Sequence, residues 1–254
     1  MIANISEEQW RSFDEHGYVD IGQVASDSEL EVMQRRSDEI MLGTAEVDYA
    51  RVMLRAHYHD PVPTRGRHPG ANLNYAMVEG LDHDAVFLRY IQTPLFWRAC
   101  NHVYDRDTAI ACYRAMIANK PAGDRTEVRW HQHMWTKFDR QPRLTAWTAL
   151  DPATADNGCI QVIPASHRLG PINPDDPEGF LTERQIREHC RAEPTNLEMA
   201  RGAVVLVHHL TLHCSGPNAT EDARRLFSVN YMDASTRHLM ANRRYTKVFG
   251  RRDR

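Results

Sequence analysis

Trp130-His131-Gln132-His133 is the stretch on which the reading of this chain turns, together with His213-Cys214-Ser215-Gly216-Pro217-Asn218 and Arg224 further on. On an extended strand residues i and i+2 point to the same face, so His131 and His133 can enter one cavity. His213, arriving on a distant strand, completes three ligands on one side of a metal. Neutral imidazole suits Fe(II), and three facial ligands leave positions open for a chelating oxoacid and O2. Sites of this kind normally use two histidines and one carboxylate; here His133 stands at the carboxylate position. Arg224 can hold the far end of an anionic cosubstrate, because a planar guanidinium pairs with a carboxylate in bidentate fashion.

The surrounding sequence predicts the scaffold. From Ala109 onward the texture is of short strands: 109–118, 127–133, 144–150, 159–163, 203–208 and 226–232. A polar insert, 171–194, carries a short predicted helix at 182–190. Upstream, Ser6-Glu7-Glu8-Gln9 and Ser26-Asp27-Ser28-Glu29 are capping boxes that start two helices. Between those helices Tyr18-Val19-Asp20-Ile21 reads as a strand, and helical patterns return at 85–91 and 94–104. Residues 49–80 read as loops around a cavity mouth, and Asn157-Gly158 as a tight hairpin turn. Helices followed by a run of strands predict a mainly β sandwich or barrel braced by N-terminal helices. We expect one domain over 1–254, helical to about 105, with its β core over about 109–233.

Composition narrows the function. The chain has 254 residues, 42% of them hydrophobic, enough for a full core. A net charge of −3 argues against a nucleic-acid partner. No apolar run approaches the ~18 residues that span a bilayer, and no basic-then-apolar leader opens the sequence. Five scattered cysteines without a CxxC pair read as reduced thiols of a cytoplasmic protein. The basic stretches Arg243-Arg244-Tyr245-Thr246-Lys247 and Arg251-Arg252-Asp253-Arg254 read as a solvated tail. Oligomeric state is left open.

In order, "EEQWRSFDEHGYVDIG", "NKPAG", "WHQH", "AWTALDPATADNGCIQVIPASHRLG", "GAVVLVHHLTLHCSGPN" and "RRLFSVNY" resemble the phytanoyl-CoA dioxygenase family of Fe(II)/2-oxoglutarate-dependent oxygenases. The resemblance covers most of the chain outside about 45–105 and 171–200. It implies a double-stranded β-helix, or jelly roll, with Fe(II) and 2-oxoglutarate as cofactors. His131 and His213 match the family's ligand histidines, and His133 stands where the family has Asp. For His133 two readings stand, ligation or a defunct centre. His208, His209 and Asp139 are rival ligands with the wrong spacing. Arg224 matches the arginine that pairs with 2-oxoglutarate; Arg225 would point to the opposite strand face. Ser215 resembles a hydroxyl that binds the same carboxylate, or is a turn residue. Trp147 either walls that pocket or packs in the core.

Arg114 and Lys120 share strand parity and are candidates to face substrate, as are His167 and Arg168, in the family's "PGSH" position with Ala165 replacing Gly. Gln161 and Ser166 belong to the same well-matched block. Cys214 has the wrong parity for the cavity and reads as structural. The expected partners are a small molecule and O2, with no nucleic acid and no membrane. The three-histidine set and compact length suggest the branch that closes rings on orthosomycin-type sugars, giving hydroxylation or oxidative cyclisation of a hydroxyl-rich metabolite. No basic cluster is evident beside the motifs to hold the phosphates of an acyl-CoA. The alternatives are a three-histidine dioxygenase that does not use 2-oxoglutarate, or an inactive binding subunit. Free imidazoles predict metal binding that weakens below about pH 6.5.

Overall fold

The computed structural model describes residues 4–56 and 71–250. Helix α1, Glu7–His16, begins where the Ser6 hydroxyl accepts from the Gln9 amide while the Gln9 side chain accepts from the Ser6 amide. It ends at Gly17, whose φ of 82° is open to glycine at little cost. Helix α2, Asp27–Met41, repeats the box with Ser26 and Glu29 and buries Leu30, Met33, Ile40 and Met41 along one stripe. Helices α3, Ala85–Ile91, and α4, Pro94–Val103, complete the brace, and α5, Glu183–His189, lies in the polar insert.

Two antiparallel sheets form the body. The strands are β1 Tyr18–Gln23, β2 Met53–Arg55, β3 Met77–Glu79, β4 Ile110–Lys120, β5 Val128–His131, β6 Leu144–Ala149, β7 Ile160–Val162, β8 Thr195–Leu197, β9 Ala203–His208, β10 His213–Ser215, β11 Arg224–Asp233 and β12 Thr246–Phe249. The larger sheet runs β1-β9-β6-β11-β4-β3-β2, with β12 also paired to β4; the smaller runs β5-β10-β7-β8. This is the jelly roll expected of the sequence. Alternation along the strands separates two layers. Leu206, Ala146 and Val229 join a core with helix residues such as Leu30, Met33 and Phe87. Their neighbours Val205, Val207 and Trp147 face the smaller sheet and pack with Val162 and Leu197. Strand β6 is buried on both faces, so all six of its residues are buried and no apolar/polar alternation marks it.

Several expectations change. The stretch 49–80 contains β2 and β3, which extend the larger sheet beside β4; residues 57–70 of that stretch lie outside the described residues. Asn157-Gly158 is not a two-residue hairpin, because β6 and β7 belong to different sheets and the loop between them crosses over. The Asn157 side chain holds that loop by accepting from Thr154 N (2.8 Å) and donating to Pro152 O (2.9 Å). Within the basic C-terminal stretch, residues 246–249 form β12 rather than a solvated tail; residues 251–254 lie outside the described residues. Among the described residues no helix is long and apolar enough to cross a membrane.

Candidate metal and cosubstrate site

His131 ends β5 and His213 begins β10, and the two are direct partners across this antiparallel pair. Their rings lie 4.0 Å apart between centroids. His133 lies beyond the end of β5, where the chain bends: His133 N donates to His209 O (2.7 Å) and Gln132 N to Gly179 O (3.0 Å). The buried Gln132 side chain ties down this bend, donating to Gly170 O and Leu210 O and accepting from Ile172 N. As a result one ring nitrogen from each of His131, His133 and His213 lies within 4.8 Å of the others.

The hydrogen bonds decide which nitrogens are free. His131 Nδ1 contacts Arg129 O and His213 Nδ1 contacts Thr211 O, each at 2.8 Å. A carbonyl only accepts, so both Nδ1 atoms carry the proton and both Nε2 atoms present lone pairs. His133 Nε2 lies 3.1 Å from His213 Nε2, and its Nδ1 lies 2.9 Å from the Thr145 hydroxyl, which also accepts from Asn230 (2.7 Å). With His213 Nε2 bare, His133 donates to it from Nε2, and Thr145 donates to His133 Nδ1. Ligation through His133 Nε2 would reverse this relay, leaving its Nδ1–H to donate to Thr145. Burial drives all three imidazoles toward the neutral, ligating form, His131 down to about 4 and the other two well below their usual value. The donor set fits an iron ion.

The rival ligands lie apart from this cluster. Asp139 is committed to Arg237, accepting from its backbone N (2.8 Å) and Nε (2.9 Å). His208 Nδ1 accepts from Leu210 N, and His209 acts through its carbonyl on His133.

Behind the histidines lies a cavity of about 80 Å³ lined by Trp147, Ser215, Ser228, Lys120, Arg224 and apolar neighbours including Leu226 and Met116. Trp147 stands edge-on to His213, with centroids 5.1 Å apart. Arg224 is 2% exposed and Lys120 5%. The Arg224 Nη2 donates to Gly158 O, its Nε has no partner, and among the described residues no carboxylate pairs with it. Lys120 is the cross-strand partner of Arg224. Two like charges so placed repel unless an anion lies with them. Burial, reinforced by the Arg224 charge, pushes Lys120 down to about 8, and burial pushes Arg224 down to about 10. Asp124 lines the same end and acts on both cations through space, but its Oδ1 accepts from the backbone N and hydroxyl of Thr126, and it forms no ion pair with either cation. Arg225 faces the other way and is held by Asp151 (2.7 Å) and Asp38 (2.6 Å), which tie β11 to α2. A β-carbon at Gly158 would meet Gly216 O at 2.5 Å, so glycine there lets the crossover loop close over Arg224.

The remaining candidates separate. Arg114 ion-pairs with Glu79 and faces a second, outer cavity rather than the inner one that Lys120 lines. His167 and Arg168, also expected to face substrate, line neither of these two cavities. Ala165 (φ 61°) turns the segment toward α1, where both side chains reach the carbonyl of Asp14. Gln161 bonds Asn196, Ser166 bonds Ile163 O and Leu212 N, and Cys214 donates to Gln161; these are contacts of the smaller sheet and its edge. Sequence reasoning missed Thr145, Asn230, Gln132, Ser228 and Phe180, whose ring packs 5.1 Å from that of His131. Ser228 and Asn230 had a signal in their place in "RRLFSVNY" and Gln132 in "WHQH"; Thr145 and Phe180 had none.

Solved structures share this architecture. The carbocyclase SnoK from nogalamycin biosynthesis, described as non-heme and alpha ketoglutarate dependent, superposes with a TM-score of 0.69 at 19% identity, over 92% of this chain and 87% of that one. The epimerase SnoN, in complex with Fe3+, alpha ketoglutarate and nogalamycin RO, gives 0.68 at 19% identity, over 91% and 85%. By sequence, the peroxisomal phytanoyl-CoA dioxygenase of Bos taurus is 24% identical over 246 residues, covering 92% of this chain and 71% of that protein. The phytanoyl-CoA dioxygenase family model matches residues 13–226, and the chain belongs to that family of dioxygenases.

Proposed function

We propose that this dioxygenase, working with iron and 2-oxoglutarate, hydroxylates or oxidatively cyclises a small, hydroxyl-rich secondary metabolite, such as an orthosomycin-type oligosaccharide. The observation that carries the reading is the meeting of three converging imidazoles with a buried guanidinium that has no acidic partner among the described residues. His131, His133 and His213 would hold the iron, which when bound would supply O2 activation coupled to 2-oxoglutarate decarboxylation and the oxidising power to break an unactivated C–H bond. Arg224 and Ser215 would grip the far carboxylate of 2-oxoglutarate, with Lys120 adding positive charge. Trp147 and Leu226 exclude water from the inner cavity. Carbocycle formation by SnoK supports ring closure as one outcome. A dioxygenase without 2-oxoglutarate, or an inactive subunit, leaves the acid-free Arg224 without a purpose. The five unpaired cysteines support a cytoplasmic setting. Anaerobic addition of Fe(II) and then 2-oxoglutarate should produce a metal-to-ligand charge-transfer band in the visible. If iron binds and no band forms, the 2-oxoglutarate reading fails.

A further inference from the structure

We propose that the outer cavity beside the metal site binds an acidic group of the substrate, a carboxylate or a phosphate ester; the inference rests on the oxygenase reading above. The cavity measures about 710 Å³, within the ~300–1,000 Å³ range of small-molecule sites. Seven lysines and arginines line it against four acids, and the acids are largely spoken for. Glu79 is shared by Arg55 and Arg114, and Asp82 takes the Thr246 hydroxyl. Asp176 accepts from the backbone N of Glu178 and Phe180. These bonds hold Asp82 and Asp176 in place without neutralising them, yet the lining still carries three more cations than acids, seven against four.

Three of those cations, Arg129, Lys137 and Arg243, have no carboxylate partner among the described residues and rest instead on aromatic faces. Lys137 Nζ lies 5.2 Å from the Tyr113 centroid and 5.8 Å from that of Phe138. Arg243 covers Tyr245 at 5.3 Å, and Arg129 covers Phe180 at 4.9 Å. Ring contacts hold a cation in place without neutralising it. The grouping is close: the charges of Arg114 and Arg243 add to burial in lowering the proton affinity of half-buried Lys137, with Glu178 and Glu79 opposing. Phe180 packs on His131, so the Arg129 end of the cation group stands one ring away from a metal ligand. Arg243 and Tyr245 reach the cavity because β12 pairs with β4, which is why the sequence alone showed no basic cluster here.

The test uses the holoenzyme, anaerobic with Fe(II) and saturating 2-oxoglutarate, so that the inner cavity is filled. Benzoate, phenyl phosphate and the neutral benzyl alcohol are titrated by calorimetry. We expect at least one acid to bind tenfold or more tightly than benzyl alcohol, with that margin shrinking in 0.5 M salt, since partly exposed charges are screened. Which acid binds distinguishes a carboxylate from a phosphate ester. The double variant K137M/R243M should lose the margin, K137R should keep it, and both should retain the charge-transfer band. Equal affinity for all three probes, or a margin unchanged in K137M/R243M, overturns the proposal. Acid binding without any charge-transfer band would retain the anion site and reject the oxygenase reading.

Discussion

On the proposed ligation by His133 both of its hydrogen bonds would reorganise, which would make Thr145 a positioning residue for the centre. Thr145→Val removes the acceptor that keeps His133 Nδ1–H directed away from the metal. Loss of such a supporting partner typically costs ~10–100-fold in metal affinity, whereas Thr145→Ser should restore it; competition titration with a chromogenic chelator measures both. His133→Ala should lower iron affinity further, and His133→Asp should restore a two-histidine, one-carboxylate set and retain the metal. Unchanged iron content in His133→Ala would remove His133 from the ligand set. Arg224→Met should raise the 2-oxoglutarate dissociation constant at least tenfold, for a charged hydrogen bond of about 1.5–3 kcal/mol. The same change leaves the empty protein as stable or more so, because it removes a buried cation beside Lys120. Arg225→Met does the reverse, loosening β11 from α2 while sparing binding. Equal behaviour of the two variants in binding and thermal melts would show the strand register to be misread. The histidine cluster was legible because its members stand in short motifs. Thr145 was not, since it lies in a strand with no alternating pattern.

Capping boxes, strand parity and the Ser/Gly/Pro turns gave the helices and the long strands within a few residues. Three short strands escaped, β2, β3 and β8, each of three residues and too short for a period to show. Strand β12 was hidden by its basic setting, and the crossover at 150–159 looked like a hairpin because Asn-Gly is read locally, whereas sheet membership is decided by distant pairings. Ala165 is the element-scale anomaly, the one non-glycine residue with positive φ among the described residues. The left-handed region costs an L-residue roughly 1–2 kcal/mol, partly offset in a glycine variant by the ~0.4–1 kcal/mol of added unfolded-chain entropy. Ala165→Gly should therefore stabilise the protein by about 0.5–1 kcal/mol and raise the melting midpoint by ~1–3 °C. A lowered midpoint would mean that the Ala165 methyl group contributes packing that outweighs the relief.

Across the whole molecule, five histidines share one thermodynamic consequence. Burial pushes His131 and His209 down to about 4 and His208 to about 3, and His133 and His213 well below their usual value. Unfolding returns each to about 6.5, so below that pH the unfolded chain binds more protons than the native one. Stability is thus retained above pH 6.5 and falls as pH drops toward 4, by up to about 1.4 kcal/mol per pH unit for each histidine. Urea midpoints of the metal-free protein should be level between pH 7 and 8 and fall steeply from pH 6.5 to 5; a level midpoint across both ranges would contradict the buried, neutral assignment. For the same reason native-state metal binding should persist well below pH 6.5, a correction to the value expected from free imidazoles.

The pairing of His131 with His213 on a single rung of the β5–β10 ladder ties metal uptake to folding fidelity. Side chains alternate faces along a strand, so a slip of one residue in that pairing turns one imidazole to the far side. A slipped chain keeps two ligands and a hydrophobic interior but cannot collect its ion with full strength. Iron stoichiometry in a preparation is then a census of correctly zipped molecules, and chelator-sensitive subpopulations mark chains whose smaller sheet closed out of step.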